Sequence, residues 1–227
     1  MGRETFQRSL SDLQDSVLVM GSMVHQAIQR STMAMKTRDL RLASEIIADD
    51  ARINEERFRI EDQCLLLIAT QAPMATDLRR LAAALNIITD LERMADHAAG
   101  NARITILTGN EPPLKPLIDI PRMAEICGEM LTAALDAFVT ADAQKAYEIA
   151  YRDDEVDQLY DQVYRELLTF MMADPGTINR ATHLLWAAHN LERIADRITN
   201  ICERVVFLST GRMAEIQGQV ARAYENG

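Results

Sequence analysis

The chain has 227 residues, 48% of them apolar but only 5% aromatic, with nine glycines and six prolines; this is the mix of straight-chain helix formers, and it is long enough to bury a core without staples. A formal net charge of −10 argues against nucleic acid or an anionic membrane surface as a partner, since the average field repels both. Cys64, Cys127 and Cys202 are odd in number, far apart and in no Cys-x-x-Cys spacing, which argues against a disulfide framework and a thiolate zinc site and leaves reduced core thiols as the reading.

The N-terminus carries Arg3 and Glu4 but no apolar signal core, and runs such as Cys64–Ala69 fall far short of a membrane span, so a cytosolic location is expected. Apolar residues at spacings of three, four and seven predict six long helices. The first runs from about Thr5 to Lys36, with Leu10, Leu13, Val17, Met20, Val24, Ile28 and Met35 on one stripe. Asp39 then offers an N-cap for a second helix from about Leu40 to Thr70. Pro73 and Thr76 mark the next boundary, and a third helix follows through Leu81, Leu85, Ile88, Leu91 and Ile104.

Residues 109–121 hold four of the six prolines and read as a linker. Beyond it the pattern restarts. A fourth helix reaches about Val139, a turn spans Thr140–Asp142, a fifth helix reaches about Met172, Asp174-Pro-Gly176 forms a turn, and a sixth helix ends near Leu208. Methionines such as Met20, Met23, Met33 and Met35 are read as core filler, and Trp186 as a packing anchor.

The restart is a duplication. Asp39 with the following helix matches Asp142 with its own at an offset of 103, and Asp50-x-x-Ile-Asn54 matches Asp153-x-x-Val-Asp157 at the same offset. Leu-Glu-Arg-Met-Ala-Asp ending at Asp96 matches Leu-Glu-Arg-Ile-Ala-Asp ending at Asp196, an offset of 100. A period near 100 residues is too long for a solenoid and fits a duplicated domain. The expected architecture is therefore all-α: two tandem three-helix bundles, end to end or side by side, with residues 1–110 as the first repeat, 111–120 as linker, 121–212 as the second repeat and 213–227 as a tail.

Glu192, Asp196, Asn200 and Glu203 fall within an arc of roughly 80° on an α-helix, opposite the apolar stripe of the same helix. Such a row of oxygen donors suits Mg²⁺, Mn²⁺, iron or Zn²⁺, with further ligands expected from the neighbouring acidic helix, where Asp153, Asp157 and Asp161 recur every four residues. Glu92 and Asp96, with Asp50 and Asn54, are the counterparts in the first half. A solvated acidic face, with Arg193 and Arg197 as local ion-pair partners, is the plainer reading of the spacing; recurrence in one register favours a site. Gly100 and Arg103 stand where the second half has Asn200 and Glu203, so the second half is expected to bind metal more tightly, or with more ions, than the first. No Glu-x-x-His motif occurs, His97 is expected at the solvent or a rim, and nucleotide loops and nucleophile elbows are missing from the sequence.

Two three-helix units, each with Asp-x-x-Ile/Val-Asn/Asp on the middle helix and Leu-Glu-Arg-Met/Ile-Ala-Asp on the last, resemble the PhoU family across about Thr5 to Gly211. The resemblance implies a cytoplasmic, non-enzymatic, commonly dimeric regulator that negatively modulates the phosphate regulon. Its implied partners are the ATPase subunit of the phosphate ABC transporter and a membrane sensor histidine kinase, with metal clusters at Glu92/Asp96 and Glu192/Asp196. The competing class is a metal-carboxylate enzyme, an oxidase or hydrolase, using the same acidic stripes.

Overall fold

The computed structural model describes residues 3–109, 111–213 and 215–216; most of the expected tail lies outside them. The helices are α1 (Arg3–Thr37), α2 (Leu40–Gln71), α3 (Thr76–Thr108), α4 (Asp119–Thr140), α5 (Ala143–Ala150), α6 (Asp153–Ala173) and α7 (Ile178–Thr210), with a 3₁₀ turn at Pro175–Thr177. Among the described residues no helix is long and apolar enough to cross a membrane.

The two halves reproduce each other down to single turns. Arg38 (φ 57°) and Ala141 (φ 53°) close α1 and α4 in the left-handed region, where a non-glycine residue costs roughly 1–2 kcal/mol. Asp39 and Asp142 follow them and accept from the amides of Leu42 and Lys145 at 2.9 and 3.0 Å, satisfying an otherwise orphaned N–H at the start of each second helix. Helix α4 starts two residues before Pro121, inside the expected linker, because a proline in the first turn has no intrahelical N–H to lose.

One element departs from the expected pattern. The fifth helix is interrupted at Tyr151–Arg152, giving α5 and α6, whereas α2 is continuous at the matching place. Arg152 bridges Glu129 of α4 (2.8 Å) and Glu155 (3.0 Å), and Asp153, now the first residue of α6, is 5% exposed.

The halves pack side by side. Helix α3 lies on α7 and α1 on α4, making a four-helix centre that α2 flanks on one side and α5 and α6 on the other. Arg79, early in α3, covers Gly211 beyond the end of α7, so these two helices run antiparallel. Helices α1 and α4 do the same: Gly21 faces Leu135, and Gln29 donates to the carbonyl of Ala124 at 3.0 Å. At Gly128 any Cβ would meet Gln29 Nε2 at 2.7 Å and His25 Nε2 at 2.8 Å, so the missing side chain lets the two helices approach. His25 and Gly128 are themselves equivalent positions of the repeat, which places the contact on a pseudo-two-fold axis.

A single cluster of buried side chains runs through both halves, from Leu13 and Val17 through Ile87, Leu91 and Met94 to Met130, Phe138, Ile194 and Ile201. All three cysteines are free and buried within it. Met20 and Met35 are core residues as expected, whereas Met33 (53% exposed) and Trp186 (53% exposed) are not, and Trp186 is no packing anchor. The shared core predicts one cooperative unit. Met94→Ala, a truncation in the first half, should cost about 2–5 kcal/mol. It should shift the urea transition seen by Trp186 fluorescence, in the second half, as far as the one seen by far-ultraviolet circular dichroism.

Candidate metal centre and the interhelical seam

Glu192 and Asp196 stand one turn apart on α7 and face α6. Asp157 of α6 is close enough for the charge of Asp196 to raise its pKa, after burial as the larger cause, with Asp154 and Asp161 adding to the effect. Glu192 is raised in the same way, by burial first and then by Asp196, with Asp157 a smaller contributor. These carboxylates therefore repel one another in a partly desolvated setting. Arg193 folds back along its own helix to meet both motif acids, with Nε 3.2 Å from Glu192 and Nη1 2.9 Å from Asp196. His189 Nδ1 approaches Glu192 Oε2 at 3.3 Å and its ring lies 6.0 Å from Tyr160. Despite these neighbours, buried Oε2 of Glu192 receives no hydrogen bond of good geometry from the described residues. As the side chains stand, no three His, Cys, Asp or Glu residues among those described are gathered around one point suited to an ion.

The first half repeats the arrangement in looser form. Arg93 lies 3.5 Å from Glu92 and 3.4 Å from Asp96. Asp50 of α2 has its pKa raised by burial and then by Asp96, while Arg103 opposes the shift. Thr89 occupies the place of His189, so one potential donor is lost, and Arg103 supplies the cation that the sequence comparison placed on the stripe.

Three of the expected ligands are engaged elsewhere. Asn200 turns toward α3 and donates to Asp90 Oδ1 at 3.3 Å. Glu203 lies a further turn along α7 and accepts from the amide of Ile216 at 3.1 Å. Asp153 is held among α4, α6 and α7, near enough to Cys127 and Cys202 to help burial push both thiols up. The break before α6 explains that divergence from Asp50, because it turns the first residue of α6 inward. Asn54 is half-buried on α2, one turn beyond Asp50, and Asp161 pairs with Arg165 at 3.0 Å.

A second polar cluster, not anticipated from the sequence, fills the crossing of α3 and α7. Asp90, 8% exposed, meets Arg197 (3.4 Å) and Asn200; Asn190 meets His97 (3.2 Å) and donates to Asn101 Oδ1 at 2.8 Å. Residues 90 and 190, and 97 and 197, are equivalent in the repeat, so the same contact is made twice about the pseudo-two-fold axis, with different chemistry each time. Because the Asn190 amide nitrogen is committed to Asn101, its oxygen faces His97, whose Nδ1 must donate; burial lowers the pKa of this imidazole, and the bond to Asn190 opposes that shift. His97 is thus a half-buried seam residue rather than a rim histidine, and Arg197 pairs across the seam rather than along its own helix. Gly100 lies beneath Asn190, whose Nδ2 would be 3.0 Å from any Cβ there. The signal in the sequence was the Asp/Asn pair before each Leu-Glu-Arg and the His/Arg pair after each Ala-Asp, all four in the 100-residue register.

Comparison with known proteins gives a consistent picture. The family model described as "PhoU domain" matches residues 17–105 and again 120–205. A Caulobacter vibrioides protein named phosphate-specific transport system accessory protein PhoU homolog is 41% identical over 209 residues, covering 92% of this chain and 91% of the relative. One of the same name from Clostridium acetobutylicum is 36% identical over 217 residues, covering 95% and 99%. The crystal structure of the phosphate transport system regulatory protein PhoU from Streptococcus pneumoniae superposes with a TM-score of 0.86 at 33% identity, covering 92% of this chain and 99% of that one. PhoU from Pseudomonas aeruginosa gives the same TM-score and identity, covering 91% and 100%.

Two outcomes follow from the geometry. Asn101 is fully buried, and its Nδ2 has no hydrogen-bond partner among the described residues. Asn190→Ala would orphan its Oδ1 as well and should cost about 1–3 kcal/mol in urea denaturation, and Arg197→Ala a comparable amount at neutral pH, because the buried Asp90 carboxylate would keep only the Asn200 amide as a hydrogen-bond donor among the described residues. For Glu192, the folded-state pKa lies above the unfolded value, so its ionised form lowers stability at neutral pH, and that penalty fades as pH falls through the folded pKa toward the unfolded one. Glu192→Gln in chelator should therefore melt at a higher temperature than the parent at pH 7, with the gap closing near pH 4.

Proposed function

Because the chain belongs to the PhoU family, we propose that it is a cytoplasmic regulator of phosphate uptake, an adaptor whose docking on the transporter ATPase subunit and on a sensor histidine kinase is set by cations bound at the duplicated acidic motifs. Its relatives are named as accessory or regulatory proteins of phosphate transport rather than as enzymes. The observation that carries the cation reading is the second-half carboxylate group: Glu192, Asp196 and Asp157 from two helices, mutually repelling, with a buried Glu192 oxygen lacking a good donor. A divalent or iron-type ion offsets that repulsion and satisfies that oxygen; Fe, Zn, Mn and Mg all accept such ligands.

The residues fit such an ion once Arg193 leaves, since its guanidinium lies on both motif acids and, being about half exposed, can swing into water. Glu192, Asp196 and Asp157 would hold the metal, with His189 at hand as a nitrogen donor. In the first half Glu92, Asp96 and Asp50 would do the same beside Arg103 and without a histidine, which supports weaker binding there. Bound cations would turn two acidic stripes into near-neutral surfaces, and so change which partner charge can approach. The adaptor acts as a homodimer in this reading and negatively modulates the phosphate regulon.

The test has two arms. Metal titration by calorimetry should show a larger loss of affinity for Glu192→Ala with Asp196→Ala than for Glu92→Ala with Asp96→Ala; equal losses would contradict the asymmetry. Pull-down against the ATPase subunit and the kinase, with and without chelator, should show metal-dependent capture, and capture indifferent to metal would remove the cation from the mechanism.

A further inference from the structure

Apart from the acidic motifs, one pocket gathers cations from both halves of the chain. It lies under the linker, against the end of α3 and the start of α7, with walls from Met35, Ile104, Leu114, Leu117 and Leu184. Arg38, from the turn between α1 and α2, and Arg180, from the first turn of α7, both line it. Arg38 donates to the carbonyl of Glu111 at 3.5 Å and Arg180 to the adjacent carbonyl of Pro112 at 3.3 Å. Neither has a carboxylate within ion-pair distance among the described residues, although the protein carries ten more acidic than basic side chains. Lys115 also lines the pocket, but Asp119 and Glu166 already neutralise it.

We propose that this pocket binds a compact phosphate-type oxyanion, free or as a small monoester, between Arg38 and Arg180. The contacts to the linker carbonyls are long for a guanidinium, whose charge-assisted bonds to oxyanions run to about 2.7–2.9 Å, so both forks are weakly held and ready to exchange partners. The cavity of about 60 Å³ is small and open to solvent on one side, so a tetrahedral oxyanion can sit at the arginines while the substituent of a monoester extends along the apolar walls. Glu111 at the rim opposes binding, leaving two guanidiniums against one carboxylate. An anion there ties the first half, the linker and the second half together through a single ligand.

Calorimetry with inorganic phosphate and with phenyl phosphate, in chelator so that metal-bridged anions at the acidic motifs play no part, tests this independently of the cation reading. One saturable site is expected, weakened about tenfold or more by Arg38→Ala or by Arg180→Ala and abolished by both. The pair Arg38→Lys with Arg180→Lys keeps the charge but loses the planar fork, and should bind with intermediate affinity while removing doubt about folding. Tighter binding of phenyl phosphate identifies the monoester and uses the apolar walls; equal or tighter inorganic phosphate identifies the free ion. Failure of both ligands to saturate the parent protein, or undiminished affinity in the double alanine variant, overturns the assignment.

Discussion

The antiparallel crossing of α3 on α7 is the constraint from which the rest of the architecture follows. These are the helices that carry the duplicated Leu-Glu-Arg motif, and Gly100 of α3, whose missing side chain makes room for Asn190 of α7, lets them lie close enough to share one core. Once they cross antiparallel, α1 and α4 must also meet antiparallel, and α2 and α6 are left on opposite flanks. Each flank helix then brings its own acidic residue, Asp50 or Asp157, to the motif of its own half. The acidic groups are thus local to a repeat, and the polar seam between Asp90, Arg197, Asn190 and His97 belongs to neither.

That seam is a costly way to join two apolar helices. Buried polar pairs contribute little net stability compared with well-packed hydrophobic contacts, but they penalise any register in which they lose their partners. A slide of one turn along α7 would strand Asn101, which is fully buried, and Asp90, which is nearly so. We read the seam as fixing where the two halves meet, while the shared methionines and leucines supply the adhesion.

Most of the fold was legible because helical periodicity and N-caps are local signals. Asp39 and Asp142 announced the starts of their helices, and the prolines of the linker announced the division into halves. The break at Tyr151–Arg152 left no such mark: it contains neither glycine nor proline, and the Arg152 contact that accompanies it is made to Glu129 on another helix. The candidate site was legible in part. Glu192, Asp196 and Asp157 face one another as their spacing suggested, yet Asn200, on nearly the same side of the helical wheel, was claimed by Asp90 of a helix more than 100 residues away. A wheel describes one rod, and a neighbouring rod decides which part of each arc is covered. The histidine that approaches the site precedes its glutamate by one turn, the reverse of Glu-x-x-His spacing, so it carries no familiar ligand signature.

The pseudo-two-fold axis through the seam makes the chain a dimer that cannot dissociate. Two separate three-helix subunits joined by the same contact would fall apart on dilution, and their association would follow protein concentration. Fusion through the linker removes that dependence, so the paired surface persists at any copy number in the cell. It also frees the two partners from identity: His97 can differ from Arg197, and Gly100 from Asn200, without forcing the same change on the opposite side. A symmetric ancestor would have had two equal faces; this molecule has a left hand and a right hand.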